Sequence, residues 1–494
     1  MNIVYLTTEA IPFARTGGLG DVCGSLPNRT AALGHDVSII MPAFQSIYHA
    51  GLLVHPTDLS FTIPIGPGNR VGCRLLKSKL PGGAVTVWFI DQPKYFDRTR
   101  LYGDHNGDYP DNAERFTFYC RAALKAMERL QLEPNIIHCN DWQSGLVPAL
   151  VKRDQECRSN FKDVATVMTI HNLAYQGHFP AKTFEFTGLG WEHFCPEAFE
   201  FYEHLNFLKS GILGADTVTT VSPQYAKEIM QPLHGCGLDG VLRASSSKLH
   251  GIINGIDEAI WNPATDTLIP YHYEMTNWLS GKRANKRFLQ QKTGLDEKED
   301  VPLIGLVGRL AEQKGWDLIL PVLRWHLNER RPTQWIVLGS GDTRLEKELR
   351  NLAQEFPSQF AVHIGFSDEL AHQIEAASDL FLMPSHYEPC GLSQLYSLRY
   401  GAVPIVNPTG GLADTVTDTT EQSLRDETAT GFYLQRPDPR SLDETIGRAL
   451  AIRYHEPDNW AQIVTTGMKQ DWSWGRSANS YINCYEESIS QKSN

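Results

Sequence analysis

Short apolar runs rich in β-branched residues recur along the chain, at residues 3–6, 37–41, 85–90, 136–138, 165–170, 217–221, 303–307, 335–338, 380–383 and 403–406. Each is almost continuously hydrophobic. Strands buried on both faces of a parallel sheet read this way, whereas half-exposed strands alternate. The stretches between them, such as 27–33, 112–130 and 368–377, have the length and spacing of crossover helices. The pattern predicts an α/β chain with doubly wound sheets. About ten strands is more than one such sheet commonly holds, so two sheets are expected.

The alternation breaks over 254–300. Asn254-Gly255-Ile256-Asp257 is turn chemistry, Trp261-Asn262-Pro263 follows, and 296–300 is a charged patch. Strand–helix alternation restarts at residue 303, which places the first domain at 1–258 and the second at 259–470. One internal echo links the halves: Thr16-Gly17-Gly18-Leu19-Gly20-Asp21 and Thr409-Gly410-Gly411-Leu412-Ala413-Asp414 agree at five of six positions, by duplication or by convergence.

The length of 494 residues fits two or three domains. Lys+Arg 45 against Asp+Glu 57 gives a net charge of −12, which disfavours nucleic acid or an anionic membrane surface as a partner. Hydrophobic residues at 41% and charged residues at 21% exclude disorder as the main state. The nine cysteines are scattered and form no C-x-x-C pair, which argues against a disulfide framework or structural zinc. The N-terminus reads as a strand without the features of a signal peptide, and no run approaches the roughly 18–20 apolar residues that span a bilayer. The expected location is the cytosol, or an organelle stroma if an import segment has been removed.

A Gly-Gly turn between a parallel strand and a helix lets backbone approach a ligand and points free N–H groups at it, although it also serves close strand–helix packing. Both such loops should lie outside the carboxyl ends of their sheets, where ligands of open α/β folds bind. Gly308-Arg309-Leu310-Ala311-Glu312-Gln313-Lys314-Gly315 follows the run at 303–307. Its two cations, five positions apart, suit one diphosphate or form a solvated pair. It is not a Walker loop, the first Gly-Gly loop lacks a full dinucleotide fingerprint, and no Asp-x-Asp pair offers to hold a metal on a diphosphate. Met383-Pro384-Ser385-His386-Tyr387-Glu388-Pro389-Cys390-Gly391-Leu392 puts the carboxylate of Glu388 at a strand end, to serve a sugar or to cap a helix. Cys390 reads as a packed thiol. His138-Cys139-Asn140-Asp141-Trp142-Gln143 and Ile170-His171-Asn172 place small polar groups and aromatics at strand ends, a composition suited to a hydroxylated ring. Trp88, Tyr95 and Tyr102 read as core or as surface aromatics.

TGGLGDV, IHNLAYQG, INGIDEAIWNPATD, VGRLAEQKGWDL, MPSHYEPCGLSQLYSLRYG and TGGLADTV, in this order, resemble the bacterial glycogen synthase and plant starch synthase family over essentially the whole chain. The resemblance implies a GT-B architecture, two Rossmann-like domains facing across a deep cleft, with residues 471–494 crossing back to the first domain. It implies a retaining glucosyltransferase that moves glucose from ADP-glucose to the 4-hydroxyl of an α-1,4-glucan, with no cofactor or metal. By motif position, Arg309 and Lys314 would hold the diphosphate and Glu388 would be the catalytic carboxylate. His171, Asp141 and Asn254 would face the glucose, and Gly17, Gly18, Gly410 and Gly411 would give backbone amides to phosphate or sugar. Asp21 would stand near the donor and Phe366 beside the base. Arg15, Asn172, Cys390, Gly391, Leu392 and Thr409 fall in the same motifs and join the substrate-binding set.

Two positions depart from the family pattern: Arg15 where Lys is usual, and Gln143 where His is frequent. Arg keeps the charge with a different reach and geometry. An amide keeps hydrogen bonding but cannot be protonated. Two other readings stay open: a UDP-glucose-dependent sucrose- or trehalose-type transferase, and a weakly active glucan-binding or priming homologue, tied to polysaccharide granules.

Overall fold

The structure, a computed structural model, describes residues 1–105 and 107–493. Contacts divide the chain into one unit of Met1–Gly255 with Trp474–Asn494, and a second of Ile256–Ser473; residue 494 of the terminal segment lies outside the described residues. The break falls three residues on from each boundary drawn at the second domain's C-terminal end and three before that at its start. The reason is local: Ile256 N–H donates to Trp472 C=O at 2.8 Å and Ile256 bridges Ser473, which ties both into the second unit.

The sheet of the first unit has nine strands. Their spatial order is Leu249–Gly251, Thr217–Thr220, Ala165–Ile170, Ile136–Asn140, Asn2–Leu6, Asp36–Pro42, Thr86–Asp91, Arg70–Lys79, His55–Pro64. The first seven pair in parallel and the last two are antiparallel. From Asn2–Leu6 the chain winds outward to one side through Asp36–Pro42, then returns to build the other side from Ile136–Asn140. The carboxyl ends of those two central strands therefore flank a topological switch point, where a crevice for ligands opens.

The second sheet is all parallel, ordered Phe360–Ile364, Gln334–Gly339, Leu303–Val307, Leu380–Met383, Val403–Val406, Phe432–Tyr433. Its switch point lies between Leu303–Val307 and Leu380–Met383. Ile304, Leu306, Trp335, Val337, Leu380 and Leu382 join one apolar cluster, while Leu303, Ile336, Leu338, Phe381 and Met383 join another. Successive residues along each strand thus enter opposite layers, and both layers are core. That is why the runs are continuously hydrophobic.

Four elements depart from the sequence expectation. The first helix is Gly18–Ala32, not 27–33, and carries Pro27 in its interior; its glycine-rich start has no apolar period to read. The ribbon His55–Pro64 and Arg70–Lys79 alternates inward Phe61, Ile63 and Cys73 with exposed Thr62, Gly72 and Arg74. A small sheet joins His178–Pro180, His204–Asn206 and Glu200–Phe201. Inside the supposed break at 254–300 lies the helix Trp278–Thr293, whose buried face carries Lys282, Asn285, Lys286 and Gln290 and therefore reads as polar. Lys282 Nζ donates to the carbonyls of Glu375, Ala376 and Tyr400, and Lys286 Nζ pairs with Asp379 at 2.8 Å.

The terminal helix Trp474–Ser493 packs within the first unit. Tyr485 Oη bonds Tyr5 Oη at 2.9 Å and His138 Nδ1 at 2.8 Å, and Ser488 Oγ bonds Thr217 Oγ1 at 2.6 Å.

Candidate active site

In the second unit, the loop leaving Leu303–Val307 and the loop leaving Leu380–Met383 emerge side by side at the switch point. The first makes a short 3-10 helix, Glu312–Lys314, and turns at Gly315, whose φ is +75 and whose missing Cβ would stand 2.3 Å from Pro384 O. Only glycine lets the two loops come that close. Gln313 then ties them: its C=O accepts from His386 N–H at 2.9 Å, its Nε2 donates to Tyr387 O at 3.1 Å, and its Oε1 accepts from Arg309 at 2.9 Å. Lys314 Nζ reaches Glu388 Oε2 at 2.5 Å, and Ser385 Oγ donates to the same oxygen at 3.1 Å. Glu388 is buried, at 7% exposure, so its charge is held by a cation and a hydroxyl in place of water. The two sequence motifs thus form one constellation, with Arg309 at its exposed rim.

In the second Gly-Gly loop, the Gly411 amide does something other than expected. Gly411 N–H donates to Glu388 O at 3.1 Å and Pro389 O at 3.2 Å. A Cβ at Gly410 would lie 2.0 Å from Glu388 O, and one at Gly411 2.0 Å from Cys390 O. The amide of Gly411 therefore clamps the backbone of the Glu388 loop, and close packing, not a free amide, is what requires glycine there. Thr409 precedes these residues as the N-cap of the helix Gly410–Thr415; Cys390 is buried, while Gly391 turns at φ +72 and Leu392 caps the helix Ser393–Tyr400. Phe366, beyond the strand Phe360–Ile364, is 74% exposed.

In the first unit, the loop after Asn2–Leu6 is organised by Glu9, a residue the motif reading passed over. Its carboxylate accepts from Thr16 N–H at 2.5 Å, Thr16 Oγ1 at 2.7 Å, Gly17 N–H at 3.3 Å and Tyr102 Oη at 2.7 Å. The Gly17 amide is thereby taken inside the protein, against expectation. Gly18 opens the helix Gly18–Ala32 with its N–H among the orphan donors of a first turn. A Cβ at Gly17 would meet nothing within 4 Å, so space there is open. Arg15 pairs with Asp21 at 3.2 Å. Trp88 and Tyr95 lie within the fold, Tyr95 fully buried.

At the other side of that switch point, Asp141 follows Ile136–Asn140 with φ 53 and ψ −179, a conformation that costs a non-glycine residue about 1–3 kcal/mol. The strain aims its carboxylate at the next strand end: Oδ1 accepts from His171 N–H at 2.7 Å, and the Asn172 amide also bonds it. Burial pushes the Asp141 carboxyl up to about 7 despite those amides. Burial likewise pushes the His171 imidazole down to about 3, so it is neutral. Its Nε2 meets Asn140 Oδ1 at 2.9 Å, and Asn140 Nδ2 points at the carbonyls of Leu6 and His138. That orientation makes Nε2 the donor and leaves Nδ1 as an acceptor. Asn172 Oδ1 accepts from Ala174 N–H at 3.0 Å, closing a local turn. Asn254 is buried, and among the described residues its Oδ1 has no hydrogen-bond partner; the same holds for Gln143 Oε1.

Residues 2–244 match the family described as starch synthase catalytic domain, and residues 286–464 match glycosyl transferases group 1. A glycogen synthase of Rhodopirellula baltica is 55% identical over 498 residues, covering 99% of this chain and 98% of the relative. A glycogen synthase of Syntrophotalea carbinolica is 46% identical, covering 99% of each. Among solved structures, the catalytic domain of Starch Synthase IV from Arabidopsis thaliana, bound to ADP and acarbose, superposes with a TM-score of 0.90 at 32% identity over 99% of each chain. Sucrose-phosphate synthase from Thermosynechococcus elongatus, at a TM-score of 0.58 and 18% identity, shares the fold alone. Among the described residues no helix is long and apolar enough to cross a membrane.

Proposed function

The chain belongs to the glycogen and starch synthase family, hexosyltransferases of the GT-B fold that elongate glucan chains, and on that premise we propose that it transfers glucose from ADP-glucose to the 4-hydroxyl of an α-1,4-glucan with retention of configuration. The observation that carries the reading is the Lys314–Glu388 pair at 2.5 Å, with Arg309 beside it through Gln313, at the switch point of the second sheet.

In this reading Arg309 and Lys314 receive the diphosphate, the guanidinium as a fork and the ammonium as a point charge. Charge grows on the leaving phosphate as the anomeric C1–O bond breaks. Fixed cations in a water-poor site stabilise that charge more in the transition state than in the ground state. Glu388, held by Lys314 and Ser385, stands where the sugar ring gains positive charge. The acceptor 4-hydroxyl attacks C1 from the departing phosphate's own face, and its proton goes to a phosphate oxygen. The sum is a glucan one unit longer and ADP. Phe366 offers its exposed ring to the adenine. His171 Nδ1 and Asn254 Oδ1 accept glucose hydroxyls, and Asp21 lies near the donor.

Incubation with radiolabelled ADP-glucose or UDP-glucose, each with glycogen, sucrose-type or trehalose-type acceptors, tests the assignment. Label entering polymer from ADP-glucose supports it. Preferential transfer from UDP-glucose to a small sugar phosphate, or no transfer from either donor, contradicts it.

A further inference from the structure

On the outer edge of the first sheet a cavity of about 620 Å3 takes its cations from two sides. The antiparallel ribbon supplies Arg70 and Arg74, two residues of the same exposed face four positions apart. The helix Asn112–Arg129 supplies Lys125 and Arg129, four positions apart and so on one helix face. Against these four cations stands one lining carboxylate, Asp91, which holds Arg74 at 2.7 Å. Lys125 is held from outside the lining by Glu128 at 2.6 Å and Glu156 at 3.1 Å. Among the described residues the Arg70 side chain donates only to the hydroxyl of Thr62, at 3.0 and 3.2 Å, and neither Arg70 nor Arg129 has an ion-pair partner. Two guanidinium groups therefore lack a carboxylate, in a chain whose net charge is −12. Like charges gathered in one concavity repel, and an incoming anion relieves that repulsion.

The floor of the cavity is built to stay open. Gly72 sits on the exposed face midway between Arg70 and Arg74, cross-strand from Thr62. A Cβ there would meet nothing within 4 Å, so no packing demand explains the glycine, and a side chain at 72 would extend into the space. The volume falls in the range of small-molecule sites. Guanidinium forks match phosphate oxygens, while Ser60, Thr62 and Gln92 along the same wall suit hydroxyl groups. We propose that this cavity is a second ligand site, separate from the donor site, that binds a small phosphate monoester with a hydroxylated body.

The test is calorimetric titration of the full chain with mannose 6-phosphate and with inorganic phosphate, the donor site kept filled with excess ADP. Mannose and a short oligonucleotide serve as comparison titrants. The proposal expects one saturable event for mannose 6-phosphate, weaker binding of inorganic phosphate, and none of mannose. It expects at least a 10-fold loss in R70A/R129A. It expects a similar loss in Gly72→Leu, which keeps every charge. Both variants should keep the wild-type melting curve and glucosyl transfer, since none of these residues belongs to the catalytic loops. No saturable binding to the wild type, equal binding to Gly72→Leu, or equal binding of mannose would overturn it. Tighter binding of the oligonucleotide, lost in R70A/R129A, would also overturn it by showing a polyanion surface.

Discussion

Lys314 Nζ lies 2.5 Å from Glu388 Oε2, although 74 positions separate the two residues along the chain. A cation proposed to receive phosphate is thus held, before any donor arrives, by the carboxylate proposed to face the sugar. The arrangement fixes the ammonium and the carboxylate in place, so little reorganisation is left for the reacting complex. On the proposed reading, Lys314 would be shared between Glu388 and the diphosphate once the donor binds.

Gln313 is the tether that sets this geometry, because its side chain bonds both Arg309 and Tyr387 O. Gln313→Ala should lower kcat/KM for ADP-glucose by roughly 10–100-fold, corresponding to about 1.4–2.8 kcal/mol. The melting temperature should shift by no more than a few degrees. Gln313→Glu, which still accepts from Arg309, should recover part of the loss; steady-state kinetics on the two variants checks this.

The two Gly-Gly loops should respond differently to the same substitution. At Gly411 an added methyl collides with Cys390 O at 2.0 Å, so Gly411→Ala should lower both stability, by about 1–3 kcal/mol, and kcat, by displacing the Glu388 loop. At Gly17 the methyl meets open space on extended backbone, so Gly17→Ala should fold like the wild type and lose activity only through donor or sugar affinity. Thermal melts together with KM values for both variants separate the two cases.

Asp141 makes stability depend on pH. Its carboxyl is raised from 3.8 to about 7, so the folded protein keeps a proton that the unfolded chain gives up. Stability from this group is complete below pH 3.8 and declines as pH rises, until the loss is full above about 7. The slope inside that window is about 1.4 kcal/mol per unit. Asp141→Asn, which cannot ionise, should remove the decline, so the variant gains on the wild type as pH rises from about 4 to about 7 in denaturant titrations. Parallel curves would show that Asp141 does not titrate there.

His171 is neutral at any working pH, its imidazole lying at about 3. Its contribution is a hydrogen bond, not a proton. His171→Asn should lower kcat/KM by about 10-fold or more while the shape of the pH–rate profile stays as in the wild type. A lost limb near pH 6.5 would instead identify the ring as an acid or base.

Much of this was readable from sequence wherever burial was two-sided. Leu303–Val307 and Leu380–Met383 are apolar on both faces, so their ends, and the Arg309 and Glu388 loops behind them, could be placed together in type if not in distance. Helix Trp278–Thr293 was hidden because Lys282 and Lys286 are buried for their amines, which serve carbonyls and Asp379. Glu9 and Gln313 were missed because half of their side-chain bonds run to backbone groups, which leave no residue pattern. Gly410 and Gly411 were seen, but their spacing alone did not tell a ligand amide from a backbone clamp.

The most direct test of the account is glucosyl transfer from ADP-glucose to glycogen by Lys314→Ala and Glu388→Ala, measured beside their melting curves. The account predicts that each loses at least about 100-fold in kcat while still unfolding cooperatively near the wild-type temperature. Turnover close to wild type in either variant would contradict it.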